Sequence, residues 1–475
     1  MSDSKQFKKD LLLVVFSNVI VLLSSIITGF IIPKILGVTE YGFYKIFTLY
    51  LGYAPLLHLG FVDGILLQFA GKKFDELDKH CFRTYTKFFM TFQLLMSLFI
   101  CLIAIIIAPI SYRYIIILLA LDVLMVNYTA YYQYISQSTM RFKELSIRKI
   151  LLASFKLILV ALLLFINRYV DINVLTANIY ISGLVLIDIL LTFWYIRTYS
   201  DITIGPSTPL SQCRTDISSF FKNGIILTIS FQASHIIFSL DRQFVSILFS
   251  TETYGVYSFA YNLISIVTTV VGAVSLVLFP RLKQLDTKSI INTFTTSMSS
   301  ISIVSFSALV GYQPLCLLIK QFLPEYNHSL SYLIIIFPGL ALSSCINVIM
   351  LTYYKALNAH VKYFKVCCFI LFISFLLNYG AYKMFGTPES ISIASILTLI
   401  LWYLSCEYYF IKTYAIRWKK NFVYIVILMT VFYSLSLTES MLLSWLVYSS
   451  VFLVLTVLFY RNEVKALFSR ITNHK

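Results

Sequence analysis

Three basic side chains, Lys45, Lys156 and Arg242, lie inside stretches apolar enough to cross a bilayer. A charge at the bilayer centre costs about 2.5–3.5 kcal/mol even on the lenient insertion scale, so each such group needs an anion, a partner or water. Arg242 belongs to a polar stripe formed by Thr228, Gln232, His235, Ser239, Arg242 and Ser246, in steps of four, three, four, three and four residues. On a helix of 3.6 residues per turn, that spacing puts all six on one face. At about 1.5 Å per residue the stripe is roughly 27 Å long, close to the thickness of the hydrocarbon core. A helix with one wet face must turn it toward other helices or a water-filled cavity. The chemistry open to a fixed guanidinium there is contact with an anionic head group. Snorkelling to the interface, or pairing with a carboxylate, is the structural alternative. Asp241 leaves the helix on another face and reads as a structural partner.

Lys45 falls near the outer end of the second apolar stretch, and Lys156 near the middle of the fifth. Asp122 and Asp188 are placed at a similar depth to Lys156. One reading is a buried ion-pair network that holds a helical bundle together. The other is a basic ligand for substrate beside a carboxylate that binds a coupling proton or sodium ion. The spacing leaves both open. Asn18 lies beside Ser17, Ser24 and Thr28 in the first stretch, a set that suits helix packing and possible ligand contact. Asp63 and Glu407 fall near cytoplasmic ends, where solvation accounts for them.

The elements that must carry these groups follow from composition. The chain has 475 residues, of which 59% are hydrophobic and 12% charged, and its mean hydropathy is +0.84. Soluble domains carry about 25% charged residues. The expected fold class is therefore all-α and integral to a membrane. Fourteen spans are read, at 11–32, 41–62, 86–108, 113–136, 148–167, 174–196, 220–248, 254–279, 295–319, 329–354, 363–384, 390–412, 421–437 and 441–460. The first of them continues to Ile32 without a small-residue cleavage site and reads as a span rather than a leader.

The net charge of +16 does not point to nucleic acid, because the basic residues follow the membrane pattern. With the N-terminus inside, 29 of the 37 Lys and Arg fall on inner segments and five on outer loops. The expectation is a multi-pass chain with both termini in the cytoplasm. Eight cysteines show neither metal spacing nor a disulfide framework. No phosphate-binding glycine loop, nucleophile elbow or zinc motif is present, so no catalytic residue, metal or cofactor is expected.

The chain is written twice. Tyr41-Gly42-Phe43-Tyr44, preceded by Thr39-Glu40, returns as Tyr254-Gly255-Val256-Tyr257, preceded by Thr251-Glu252. Tyr131-Tyr132 with Phe142-Lys143 returns as Tyr353-Tyr354 with Phe364-Lys365. Spans 1–6 and 7–12 thus form two parallel six-helix repeats, a recurring transporter plan. The expected division is an N-terminal bundle (1–200), a cytoplasmic linker (201–219), a second bundle (220–413), and two extra helices with a tail (414–475). The repeat does not extend to the charges, since Ser258 stands where Lys45 follows the first motif.

The run Ile31-Ile32-Pro33-Lys34-Ile35-Leu36-Gly37, then Glu40-Tyr41-Gly42-Phe43-Tyr44 and Leu59-Gly60-Phe61-Val62-Asp63-Gly64, resembles the opening of bacterial polysaccharide flippases. So does Asp241-Arg242 followed by Tyr254-Gly255-Val256-Tyr257-Ser258-Phe259-Ala260. These are the O-antigen and related lipid-linked oligosaccharide translocases of the multidrug/oligosaccharidyl-lipid/polysaccharide exporter superfamily. The resemblance covers the whole chain. It implies a V-shaped pair of bundles that alternates in access, and movement of an undecaprenyl-diphosphate-linked sugar unit to the outer leaflet of the bacterial cell membrane.

Cationic residues serve the diphosphate and anionic sugars in that family, and by position Arg242, Lys45 and Lys156 are the candidates. His235, Gln232, Ser239 and Asn18 are the polar candidates around the substrate. Asp122, Asp188 and Asp241 are candidates for ion coupling or ion pairing. The expected partners are the lipid-linked oligosaccharide, the bilayer and glycan assembly proteins such as polymerases and glycosyltransferases. The rivals are a multidrug or cation antiporter of the same superfamily, and an integral-membrane glycan polymerase or ligase. Three intramembrane cations disfavour the first, and short outer connections disfavour the second.

Overall fold

The computed structural model describes residues 2–169, 176–283, 285–436, 438 and 440–472, and among them the regular structure is helical throughout, with no strand. The helices are α1 (Ser2–Leu51), α2 (Phe61–Phe69), α3 (Lys79–Ile107), α4 (Ile110–Ser138), α5 (Phe142–Tyr169) and α6 (Ala177–Thr198). They continue with α7 (Ser200–Thr203), α8 (Leu210–Leu248), α9 (Thr251–Lys283), α10 (Thr287–Leu309), α11 (Tyr312–Phe322) and α12 (Ser329–Ile336). The last six are α13 (Gly339–Ser344), α14 (Leu351–Ala356), α15 (His360–Phe385), α16 (Pro388–Tyr414), α17 (Lys419–Ser436) and α18 (Met441–Thr472).

By length and composition, ten helices or merged helix pairs among the described residues can cross a membrane. An eleventh is counted if the pair Ser329–Ile336 and Gly339–Ala356, bent by 52°, forms one span. The expected fourteen are not established as fourteen separate helices. Span 1 and the first half of span 2 fall on α1, which is continuous except at Gly37 (φ 70°, ψ 175°), a backbone conformation open chiefly to glycine. Span 9 is taken together with α11 as Thr287–Phe322, and spans 8 and 13, on α9 and α17, are not among the ten.

The chain divides into two compact units, residues 1–235 and 236–475, with the boundary inside α8. The aromatic core of the first unit explains the first half of the repeat. Tyr131 and Tyr132 are both fully buried. The Tyr131 hydroxyl meets Thr86 Oγ1 at 2.8 Å, and its ring stacks on Phe89 at 5.3 Å. Tyr132 stacks on Tyr195 and Tyr199 at 5.8 and 5.6 Å.

The second unit repeats the arrangement with Tyr353 and Tyr354. The Tyr353 hydroxyl meets Thr293 Oγ1 and Ser297 Oγ at 2.9 Å, and its ring packs edge-on to Phe294 at 5.0 Å. Tyr354 stacks on Tyr409 at 4.8 Å. A buried tyrosine needs both an apolar slot for its ring and a partner for its hydroxyl. Both halves of the chain solve that problem with a threonine on another helix.

The second span is broken. After Leu51, Ala54–His58 form a 3-10 turn, Leu59 and Gly60 take left-handed backbone angles (φ 49° and 88°), and α2 then begins. A break within hydrocarbon frees carbonyls that must find donors inside the protein. Asn127 Nδ2 donates to Ala54 O at 3.2 Å and Gln93 Nε2 donates to Leu57 O at 3.0 Å, while Asn127 also donates to Gln93 Oε1 at 2.8 Å. At the start of α3, outside the span, Asp78 accepts from the N–H groups of His80 and Cys81 at 3.0 and 3.2 Å. Those bonds to the helix N-terminus hold its carboxyl below the ordinary value.

Candidate functional site

Among the described residues, most of the candidate groups fall at three places, two in the first unit and one in the second. The first is a charge network between α4, α5 and α6. Arg148 Nη2 pairs with Asp188 Oδ1 at 3.3 Å. Lys156 interacts electrostatically with Asp188, Asp122 and Arg148. Arg148 is 9% exposed and Asp122 only 1%. The structure thus brings Lys156, Asp122 and Asp188 together and adds Arg148, which the sequence places with the inner segment. Two cations and two anions balance, as buried charges require. Arg148 escapes a span-by-span reading because it sits at the boundary of an apolar run, where interfacial solvation is the default. Lys149 next to it donates to Asn18 Oδ1 at 3.0 Å, tying α5 to α1.

The second place is the break in the second span, against the first part of α8. Asp63 accepts a hydrogen bond from the Thr228 hydroxyl and is also bonded to Tyr134. It is 2% exposed, and Glu407, bonded to the Tyr403 hydroxyl at 3.0 Å, is 3% exposed. The expectation that both are solvated at span ends is therefore corrected. Proximity to a span end says nothing about burial when neighbouring helices cover that end. His58 is buried and its Nδ1 accepts from Gly60 N at 3.3 Å.

Glycines permit the close approach of α2, and of Gly60 just before it, to α8. A Cβ on Gly224 would meet Gly60 O at 1.9 Å, and one on Gly64 would meet Phe220 O at 2.1 Å. Further along, the ring of Tyr53 stands edge-on to His235 at 5.8 Å, and a Cβ on Gly52 would meet His235 Cε1 at 2.7 Å. Lys45, in the part of α1 before the break, lies over the rings of Tyr41 and Tyr44 at 5.1 and 5.3 Å. Aromatic faces soften the cost of holding an ammonium there.

The third place is the end of α8 in the second unit. Buried Asp241 accepts from the hydroxyls of Tyr257 (2.9 Å) and Tyr261, and from the backbone N–H of Arg242 at 2.7 Å. Arg242 donates from Nη2 to Phe238 O at 3.0 Å, and its guanidinium lies 4.9 Å from the Tyr261 ring centroid. Tyr257 belongs to the repeated motif, so the second Tyr-Gly-x-Tyr supplies a donor to the carboxylate beside Arg242.

Residues of the stripe share one continuous helix but not one environment. Thr228 and Ser239 are buried, Gln232, Arg242 and Ser246 are half-buried, and His235 is exposed. Ser239 returns its hydroxyl to Ile236 O at 3.3 Å. Gln232 Oε1 is buried without a hydrogen-bond partner among the described residues. No cluster of three or more His, Cys, Asp or Glu among the described residues could hold a metal ion.

The described residues form an all-helical, multi-pass arrangement with a broken span, a buried charge network and an internal repeat. The structure is similar to lipid II flippase MurJ in an inward closed conformation, with a TM-score of 0.72 and 14% identity over 96% of this chain and 99% of that one. It is also similar to the inward-facing form of a multidrug resistance MATE family transporter of the MOP superfamily (TM-score 0.63, 12% identity, 84% of this chain and 96% of that one). A Vibrio cholerae MATE transporter matches at a TM-score of 0.56 and 14% identity, over 87% of this chain and 98% of that one. No curated protein sequence matches. The model of the polysaccharide biosynthesis protein family matches residues 7–286, more than half the chain, and the chain belongs to that family.

Proposed function

We propose that the chain is a flippase that moves undecaprenyl-diphosphate-linked oligosaccharide units from the cytoplasmic to the outer leaflet. Its product would feed O-antigen, capsule or a related surface polysaccharide. The observation that carries this reading is the pairing of a polysaccharide-biosynthesis family match with a transporter fold. Such a chain must pass an anionic, sugar-bearing head group through low dielectric while the polyprenyl tail stays in lipid. Arg242, Lys45 and Lys156 would offset the cost of bringing phosphate charge inside. Asn18, Gln232, His235 and Ser239 would supply polar contacts, and Asp122, Asp188 or Asp241 would take a coupling ion. The protein would lie in a bacterial plasma membrane with both termini in the cytoplasm, beside glycosyltransferases and a polymerase, and would itself catalyse no bond change.

The test is reconstitution in liposomes with a labelled undecaprenyl-diphosphate oligosaccharide, followed by the appearance of label at the opposite leaflet. Translocation faster than in protein-free vesicles supports the flippase. No translocation of any head group, together with uptake of a cationic dye, replaces it with the antiporter.

A further inference from the structure

Among the described residues four carboxylates are buried: Asp63, Asp122, Asp241 and Glu407. A carboxylate out of water needs a cation or several hydrogen-bond donors, or else it takes up a proton. Asp122 lies within reach of the Lys156 and Arg148 charges, and Asp241 accepts three hydrogen bonds beside Arg242. Asp63 accepts from two hydroxyls, those of Thr228 and Tyr134. Glu407, on α16, has one donor, the Tyr403 hydroxyl at 3.0 Å. Among the described residues no Lys, Arg or His pairs with it. It is the least compensated of the four.

The groups around Glu407 supply no positive charge. Cys345 faces it from Cys345–Met350, a turn of π-helix between α13 and α14, and Tyr403 and Cys406 share its own helix. Tyr460 on α18 acts on Tyr403, while Cys367 on α15 and Tyr354 on α14 act on Cys406. Thiols and phenols can donate to a carboxyl group but cannot neutralise it. α12 and α13 meet α16 nearer its other end, where Glu389 lies 3.5 Å from His328 Nε2. A single π turn within a helical run, such as the one against Glu407, is frequent at functional sites.

Because Tyr403 donates to Oε1, Oε2 is left to carry a proton. Its release would break the Oε2–H bond, pass the proton to water and leave an uncompensated carboxylate in a buried site. This packing therefore suits the neutral acid, and a state that lets water in suits the ionised one. Proton binding and conformation are then linked, each biasing the other. We propose that Glu407 is a proton-binding site of the second unit, which holds its proton in this conformation and exchanges it with water when the protein changes state. The use of that proton as a coupling ion rests on the transport reading above; its presence on Glu407 does not.

Infrared difference spectra of the purified full chain at neutral pH, wild type minus Glu407→Gln, test the proton directly. The carbonyl stretch of a protonated carboxyl should be present in wild type and lost in the variant. Tyr403→Phe should keep that band and move it to higher frequency, since the carbonyl loses its donor; this arm holds even if the glutamine variant fails to fold. In the liposome assay a proton gradient should accelerate wild type and leave Glu407→Gln at its rate without a gradient. Ionised-carboxylate bands in place of the carbonyl stretch, or a Tyr403→Phe spectrum identical to wild type, would overturn the site. Full acceleration of Glu407→Gln by the gradient would overturn coupling through it. Absence of oligosaccharide translocation by wild type would end the flippase reading, while the infrared bands still decide the site.

Discussion

At the scale of single residues, buried charge is handled in two ways. Arg148, Asp188, Lys156 and Asp122 neutralise one another, whereas the Arg242 guanidinium rests on a carbonyl and a tyrosine ring. The two arrangements predict opposite outcomes. Arg148→Met should destabilise the protein by about 3–5 kcal/mol, since it leaves an excess of buried negative charge. Adding Asp188→Leu should restore most of that loss, because Lys156 and Asp122 remain as a balanced pair; thermal unfolding in detergent measures both. Arg242→Ala should leave membrane insertion and melting nearly unchanged while impairing head-group translocation, and Arg242→Lys should retain part of it. Full transport by the alanine variant would remove Arg242 from the site.

Elements are shaped by what interrupts them. The second span breaks at Ala54–His58 because Pro55 cannot donate to a helix ladder and Gly60 permits the left-handed turn. Gln93 and Asn127 make the break tolerable by capping the freed carbonyls. Just beyond it, α2 and α8 touch backbone to backbone through Gly60, Gly64 and Gly224. Gly224→Ala must push the helices apart against Gly60 O, and overpacking of this kind costs about 1–3 kcal/mol. The expected result is a lower melting temperature together with loss of the adjacent Asp63–Thr228 hydrogen bond, seen as faster solvent exchange around Thr228. An unchanged melt would mean that the contact is looser than the structure shows.

At the scale of the whole molecule, the distribution of Lys and Arg and the duplicated tyrosine motifs make predictions that no single site does. Cysteines introduced near Ser4 and near the last residues should both react with an impermeant thiol reagent only from the cytoplasmic side of intact cells. One placed at Thr387 should react only from outside. Reaction of the two termini from opposite sides would exclude an even number of spans. Tyr353→Phe should weaken the second unit as Tyr131→Phe weakens the first, because each hydroxyl ties a buried tyrosine to the threonine of a neighbouring helix.

What the sequence by itself determined is everything that depends on local pattern. Apolar runs long enough to cross hydrocarbon dictate helices, because only intra-segment hydrogen bonding satisfies the backbone there. The return of Tyr-Gly-x-Tyr and Tyr-Tyr marks a duplication that both units display. The continuity of α8 under its polar stripe was also legible, since helical spacing is a property of one segment. The count of fourteen was not, because residues on either side of Gly37 and the short helices around Pro338 join or split according to neighbours the segment does not contain.

Only the tertiary structure decided how the polar groups are partnered. It moved Arg148 from the interface into a buried pair, closed Asp63 and Glu407 away from water, and divided one helical stripe among three environments. Those outcomes rest on contacts between residues far apart in the chain, such as Arg148 with Asp188 and Asp63 with Thr228. The price of burying a polar atom is set by whichever distant donor or acceptor the fold delivers to it, and no local pattern encodes that partner.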